Sequence, residues 1–185
     1  MRIIILGAGQ VGASGAEALA SEINDVTVVD QSSACLAQLA DRLDVRTVTG
    51  NAALPSVLRS AGIEDAEMLV AVTQSDQTNL VACKIARGIF NVPTRIARLR
   101  GVDFVADEAL LADDMFSVSH AICPEQEVTD YITRLVAFPE ALQVLEFANG
   151  SVTLVCVRAY DGGLLVGQSI NTMKEHLGSG VEARI

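Results

Sequence analysis

The opening stretch constrains the fold more than any other. An apolar strand, Arg2-Ile3-Ile4-Ile5-Leu6, runs directly into Gly7-Ala8-Gly9-Gln10-Val11-Gly12, and Ala-rich helical sequence follows. Strand, glycine loop and helix in that order form a phosphate-binding fingerprint. Gly7 serves the tight turn, Gly9 leaves room for a pyrophosphate to approach the backbone, and Gly12 lets the helix pack closely on the strand. The N–H groups at the helix start have no intrahelical acceptor and are available to an anion. A second apolar strand, Val26-Thr27-Val28-Val29, ends in Asp30, at the spacing where an acidic side chain accepts hydrogen bonds from ribose hydroxyls. A carboxylate there repels a 2′-phosphate, and Gln31-Ser32-Ser33 bring no Arg to offset it, which favours NAD(H) or another adenine nucleotide with a free 2′-hydroxyl over NADP.

With 185 residues, 50% of them apolar, the chain can bury a core of one domain and part of another. The formal charge of −10, with only 13 Lys and Arg spread along the chain, argues against nucleic acid, which needs a concentrated basic face. No apolar run approaches the roughly 18 residues of a membrane span, and Met1 leads straight into a strand without room for a secretory leader. A cytosolic protein without direct membrane insertion is expected. Cys35, Cys83, Cys123 and Cys156 are widely spaced among apolar neighbours and are expected to be buried thiols rather than disulfides or zinc ligands. His120 and His176 are isolated, so no metal site is expected.

Periodicity predicts strands alternating with helices. A first crossover helix through Ile23 would bury Ala16, Leu19, Ala20 and Ile23, and a second, capped by Ser32 or Ser33 and reaching Arg42, would bury Leu36, Leu39, Ala40 and Leu43. A strand Val45 to Thr49 ends at Gly50-Asn51-Ala52. A short helix, Pro55 to Ala61, closes on Gly62, and Met68 to Val72 forms a buried parallel strand. The polar loop Thr73-Gln74-Ser75-Asp76-Gln77-Thr78-Asn79 supplies caps for a helix over 77–90 with a stripe of Leu80, Val81, Ile85 and Ile89. Its place at the carboxyl end of a parallel strand also makes Thr73 a candidate for ligand contact. In the strand Thr94 to Arg100, Arg98 and Arg100 share one side, where they either pair with phosphate or face solvent at a sheet edge. A helix from Val102 to Leu111 and a strand Phe116 to His120 lead to Pro124, which starts a helix Glu125 to Ala137 striped by Val128, Tyr131, Ile132, Leu135 and Val136. That stripe docks on its own sheet or pairs with another subunit.

Beyond Pro139 the pattern changes to strands. Leu142 to Phe147 and Ser151 to Ala159 flank the turn Asn149-Gly150, Gly167-Gln168-Ser169-Ile170 opens a helix through Leu177, and Val181 to Ile185 begins another strand. A hairpin and one helix are too small to be stable alone, so the chain is expected to stop partway through a second domain.

The segments Ile4 to Gly12, Val29-Asp30, Thr49 to Ala52, Leu58 to Ala66, Val72 to Asn79, Ile96-Ala97-Arg98 and Cys123-Pro124-Glu125 together resemble the regulatory subunits of Trk-type bacterial potassium uptake systems and, more broadly, the RCK (KTN) domains. The resemblance implies an α/β fold: a Rossmann-like doubly wound parallel sheet over 1–123, a crossover or dimerisation helix over 124–138, and over 139–185 the truncated start of a small α+β C-terminal subdomain. It implies a nucleotide sensor without chemistry of its own that gates potassium uptake. The ligand would be NAD(H), or ATP or ADP as in related members. The expected binding residues are Gly7, Ala8, Gly9, Gln10, Val11, Gly12, Asp30, Gln31, Gly50, Asn51, Ala52, Thr73, Gln74, Arg98 and Arg100. Relatives commonly carry Asp at the position of Asn51, so one charge is missing on the adenine side. The implied partners are a TrkH-like membrane potassium-transporting subunit, at the inner face of the plasma membrane, and a second copy met through the Glu125 to Ala137 helix. The alternative is the cofactor half of an NAD-dependent dehydrogenase, for which no acid–base pair or substrate domain is evident.

Overall fold

A computed structural model of the chain describes residues 1–163 apart from Glu22 and Asn149, together with Val166 and Gly167. The described residues form two compact units, Met1–Glu127 and a second that begins at Val128.

The first unit is a doubly wound sheet. Strands β1 (Arg2–Leu6), β2 (Asp25–Asp30), β3 (Arg46–Thr49), β4 (Met68–Ala71), β5 (Thr94–Arg98) and β6 (His120–Ile122) pair in parallel in the order β3-β2-β1-β4-β5-β6. Helices α1 (Gln10–Leu19), α2 (Ser33–Ala40), α3 (Pro55–Ser60), α4 (Asp76–Gly88), α5 (Val102–Ala106) and α6 (Glu108–Leu111) make the connections. Alternation along β1 explains the two layers. Ile3 and Ile5 pack with Ala16, Leu36 and Leu39 on one face, while Ile4 and Leu6 pack with Leu58, Leu80 and Cys83 on the other. Each such burial contributes about 1.5–3 kcal/mol. The chain direction of the winding reverses between β1 and β4, so a crevice opens at their carboxyl ends.

Several local expectations are corrected. Helix α1 ends before Ala20, whose extended backbone (ψ 118°) breaks the helix, and the Asn24 side chain covers the Leu19 carbonyl at 3.0 Å, so Ile23 lies beyond the helix and is exposed. Helix α2 stops at Ala40, which is exposed, as is Cys35. Cys156 is exposed too, whereas Cys83 and Cys123 are buried. In α4 the buried face is Asn79, Leu80, Ala82, Cys83 and Ala86, with Val81 and Ile89 turned to solvent. Small residues let this helix lie close on the sheet, which large apolar ones would prevent. The expected helix over 102–111 breaks at Asp107, which leaves helical geometry and caps α6 by accepting from the Ala109 N–H at 3.0 Å. The last strand of the sheet starts at His120 rather than Phe116, because the chain around Ser117 (φ 59°) first folds back onto α6, with the Ser117 N–H on the Ala112 carbonyl at 2.8 Å.

The second unit contains helix α7 (Pro124–Ala137) from Val128 onward and the antiparallel pair β7 (Ala141–Phe147) and β8 (Val152–Val157). Within it Val144 is buried and Arg134 reaches Glu146 at 3.5 Å. Val128, Tyr131, Ile132 and Val136 on α7 are exposed. The predicted helix through Leu177 and the strand from Val181 lie outside the described residues, as does His176.

Candidate functional site

The crevice at the carboxyl ends of the strands holds a cavity of about 590 Å³. Gly7, Gly9, Gln10, Val11, Asp30, Gln31, Gly50, Ala52, Thr73, Gln74, Arg98 and Arg100, all expected from sequence, line it together. A larger hollow of about 860 Å³ lies at the opposite end of the sheet, where Arg2, Arg42 and Arg46 mix with Asp25, Asp44 and Asp65. It has balanced charge and its lining includes no α-helix N-terminus, so size does not decide the site. The glycine loop and the reversal of winding do.

The floor of the cleft is built by the loop after β1. Gly7 has φ +105°, a conformation disfavoured for other residues, and a Cβ on Gly12 would stand 1.8 Å from the Gly7 carbonyl oxygen. A Cβ on Gly9 would meet nothing within 4 Å. The protein's own packing therefore requires Gly7 and Gly12, while the space before Gly9 is open. Gly9 is the N-cap of α1, with no side-chain hydrogen bond, and the first helical bond runs from the Ala13 N–H to the Gly9 carbonyl at 2.8 Å. The N–H groups of Gln10, Val11 and Gly12 precede that bond and give this end of the cleft a positive partial charge.

Asp30 closes the β2 side. One carboxylate oxygen accepts from the Ala8 N–H at 2.6 Å and the other from the Ser32 N–H at 2.7 Å. Ala8 thus shapes the loop from behind the cavity rather than lining it. The same holds for Gly12, and Asn51 also stands outside the lining: its Oδ1 accepts from the Ala53 N–H at 2.9 Å and forms the turn after β3.

On the β4 and β5 side, Thr73 is held by Asn79. The fully buried Asn79 accepts at Oδ1 from the Thr73 N–H (3.0 Å) and hydroxyl (2.7 Å), and donates from Nδ2 to the Arg98 carbonyl at 2.8 Å. The Asp76 carboxylate accepts from the Arg100 and Gly101 N–H groups at 2.9 and 2.8 Å. Strand β5 lies between β4 and β6, so Arg98 is inside the sheet and not at its edge, and its side chain is only 15% exposed. Arg100 is exposed at the cleft mouth. Both arginines stand 3.8 Å from one oxygen of Glu125.

Sequence reasoning missed Val29, Ser32, Cys35, Val72, Ser75 and Thr78 as lining residues. Val29 and Val72 immediately precede named site residues, and Ser75 serves both as cap of α4, accepting from the Thr78 N–H at 3.1 Å, and as cleft wall. Cys35 carried no signal, because only the facing of α2 decides it.

The family model described as the TrkA-N domain matches residues 3–124, the whole of the parallel sheet and its helices. This chain belongs to the TrkA-N domain family. It is 51% identical over its full length to the Trk system potassium uptake protein TrkA of Halomonas elongata, and spans 40% of that protein. Among solved structures, the TrkA-N domain of the Escherichia coli inner membrane protein ybaL superposes with a TM-score of 0.64 at 24% identity, covering 73% of this chain and 96% of that one. The Shewanella denitrificans Kef C-terminal domain in its AMP-bound form superposes with a TM-score of 0.58 at 20% identity, covering 75% of this chain and 82% of that one. These two likenesses show the TrkA-N fold. Among the described residues, no helix is long and apolar enough to cross a membrane, and no group of three or more His, Cys, Asp or Glu could hold a metal ion.

Proposed function

We propose that this chain is the nucleotide-sensing first part of a regulatory subunit of a potassium uptake system, binding NAD(H), or ATP or ADP, in the β1–β4 crevice. The observation that carries this is the convergence, in one cleft, of an uncapped helix start, a carboxylate at the end of β2 and two arginines from the end of β5. The helix start and Arg98 or Arg100 answer phosphate, with Gly7 to Gly12 as the cradle. Asp30, with Gln31 beside it, answers the ribose and disfavours a 2′-phosphate. Gly50 and Ala52 flank the adenine, with Asn51 shaping the turn between them, and Thr73 with Gln74 faces the remainder of the ligand. A domain of the same fold was solved with AMP bound, and the relative from Halomonas elongata is named for potassium uptake.

The protein has regulation as its task rather than catalysis. His120 stands at the amino end of β6, away from the carboxyl-end cleft, and among the described residues no histidine lines that cleft. Ligand binding biases a membrane potassium-transporting subunit by differential affinity for two conformations, with the protein on the cytoplasmic side and its copies paired through the exposed stripe of α7. NADH fluorescence titration tests the binding: an emission change that ADP reverses is expected, and an unaltered spectrum at saturating protein would remove NAD(H) from the reading. Loss of potassium uptake on deletion, restored by the intact gene but not by a Gly9→Val version, tests the regulatory role.

A further inference from the structure

We propose that Asp76 is a positioning residue of the cleft: without lining it, the carboxylate holds the backbone that carries Arg100, and so sets the affinity for the phosphate part of a bound nucleotide. The inference rests on the nucleotide reading above.

Strand β5 ends at Arg98, and the chain then runs through Arg100 to Gly101, the N-cap of α5. Leu99 still donates to the Ile122 carbonyl at 2.9 Å, but the next two N–H groups have left the sheet. Both donate to a single oxygen, Asp76 Oδ2, from Arg100 at 2.9 Å and from Gly101 at 2.8 Å. Hydrogen bonds to an ionised acceptor are stronger than neutral ones. Asp76 is also the first residue of α4, where the helix dipole favours a negative charge. Gly101 fits this clamp, since a Cβ there would stand 3.4 Å from Asp76 Oδ2 and 3.0 Å from a ring carbon of Phe104.

Three residues on, and so on the same side of α4, Asn79 donates to the Arg98 carbonyl at 2.8 Å. The first turn of α4 therefore grips the segment at both ends, by a carbonyl at 98 and by two N–H groups at 100 and 101. Ser75, Arg98 and Arg100 line the cavity, whereas Asp76 does not. Its carboxylate thus serves the backbone. Arg100 depends on this support more than Arg98. The Arg98 side chain is 15% exposed and packed within the sheet, while that of Arg100 is 48% exposed at the cleft mouth, where few neighbours restrain it. A long, exposed side chain meets phosphate at low ordering cost only if its backbone is already in place. Asp76 acts on phosphate in two opposed ways: its charge repels the ligand, and its hydrogen bonds place the arginine.

Calorimetry on the whole chain with ADP and adenosine, which share base and ribose and differ in phosphate, tests the role. In Asp76→Ser the side chain suits a helix start but is too short to hold both N–H groups. ADP should then bind about two- to fivefold weaker, the range of a partly exposed ion pair, with adenosine unchanged. Asp76→Asn removes the charge and keeps an acceptor oxygen at the same reach, so ADP should bind as in the wild type or tighter. In an Arg100→Gln background, Asp76→Ser should weaken ADP no further. A readout that needs no variant is hydrogen exchange in the ligand-free wild type, which should be slow at the Arg100 and Gly101 amides. Equal weakening of ADP and adenosine in Asp76→Ser, unchanged or tighter ADP in that variant, as large a loss in Asp76→Asn, or fast exchange at both amides would overturn the positioning role while leaving the nucleotide site standing. No binding of either probe by the wild type would overturn the nucleotide reading and this inference with it.

Discussion

Asn79, fully buried in α4, donates from its side-chain amide to the carbonyl of Arg98 at 2.8 Å, tying the helix to the end of the neighbouring strand. Its Oδ1 meanwhile holds Thr73, so one side chain joins the ends of β4 and β5 at the cleft wall. Asn79→Ala leaves the Arg98 carbonyl and the Thr73 N–H without these partners in a dry environment. The expected loss is about 2–3 kcal/mol of stability, read by urea unfolding, together with weaker nucleotide binding. A stability change below about 0.5 kcal/mol, the ordinary scatter of surface substitutions, would show that Asn79 does not bolt the strands.

Asp30 accepts two backbone N–H groups, one on each oxygen. In Asp30→Asn the amide nitrogen must face one of those donors, so the loss is not only of charge. Destabilisation by about 1.5–3 kcal/mol, the scale of a charged hydrogen bond, should appear in urea unfolding even without ligand. Affinity for NADH should fall at the same time, whereas an unchanged unfolding midpoint would mean that the carboxylate serves ligand alone.

Gly12 and Gly9 separate packing from binding. Gly12→Ala places a methyl 1.8 Å from the Gly7 carbonyl oxygen, and overpacking of this kind costs about 1–3 kcal/mol or more. Gly9→Ala meets open space and should leave the melting temperature unaltered while lowering nucleotide affinity roughly tenfold or more by blocking backbone approach. A thermal melt and a binding titration on each variant distinguish the two roles, and loss of the fold in Gly9→Ala would contradict the assignment.

Burial pushes the Cys83 thiol from 9.0 up to about 12, with the nearby Arg95 charge acting weakly in the opposite direction. The folded state holds the neutral thiol where the unfolded chain ionises, so this group's stabilisation is complete below pH 9.0 and is lost as pH rises toward 12. In the folded protein at pH 8, Cys83 should resist thiol reagents and exposed Cys35 should react. Since Cys35 lines the cleft, bound nucleotide should slow its modification. Reaction of Cys83 at the rate of Cys35 would contradict the burial.

How much of this was legible in the sequence follows from the range of each constraint. The strand, glycine loop, helix and Asp30 were readable because each depends on neighbours in the chain: turn geometry at Gly7, close approach at Gly12, capping at Ser32 and Ser75. Most expected cleft residues converge because loops after parallel strands must gather at one end of the sheet. What sequence hid was the facing of side chains set by tertiary packing. Asn79 reads as a capping residue in a polar loop, yet its amide is satisfied by backbone groups from two strand ends that exist only in the fold. Val81 and Ile89 look like a helix core, yet Ala82, Cys83 and Ala86 take that face because the helix must approach the sheet closely. Cys35 falls beside the cleft only because Leu36 and Leu39 turn α2 inward.

The central claim is that this cleft binds a nucleotide through the glycine loop. Isothermal calorimetry with NAD+, NADH, ATP and ADP on the wild-type protein and on Gly9→Val tests it most directly. Saturable binding of at least one of the four to the wild type, lost in a folded Gly9→Val, is the predicted result. No binding of any of them at millimolar concentration, or equal binding by both proteins, would contradict it.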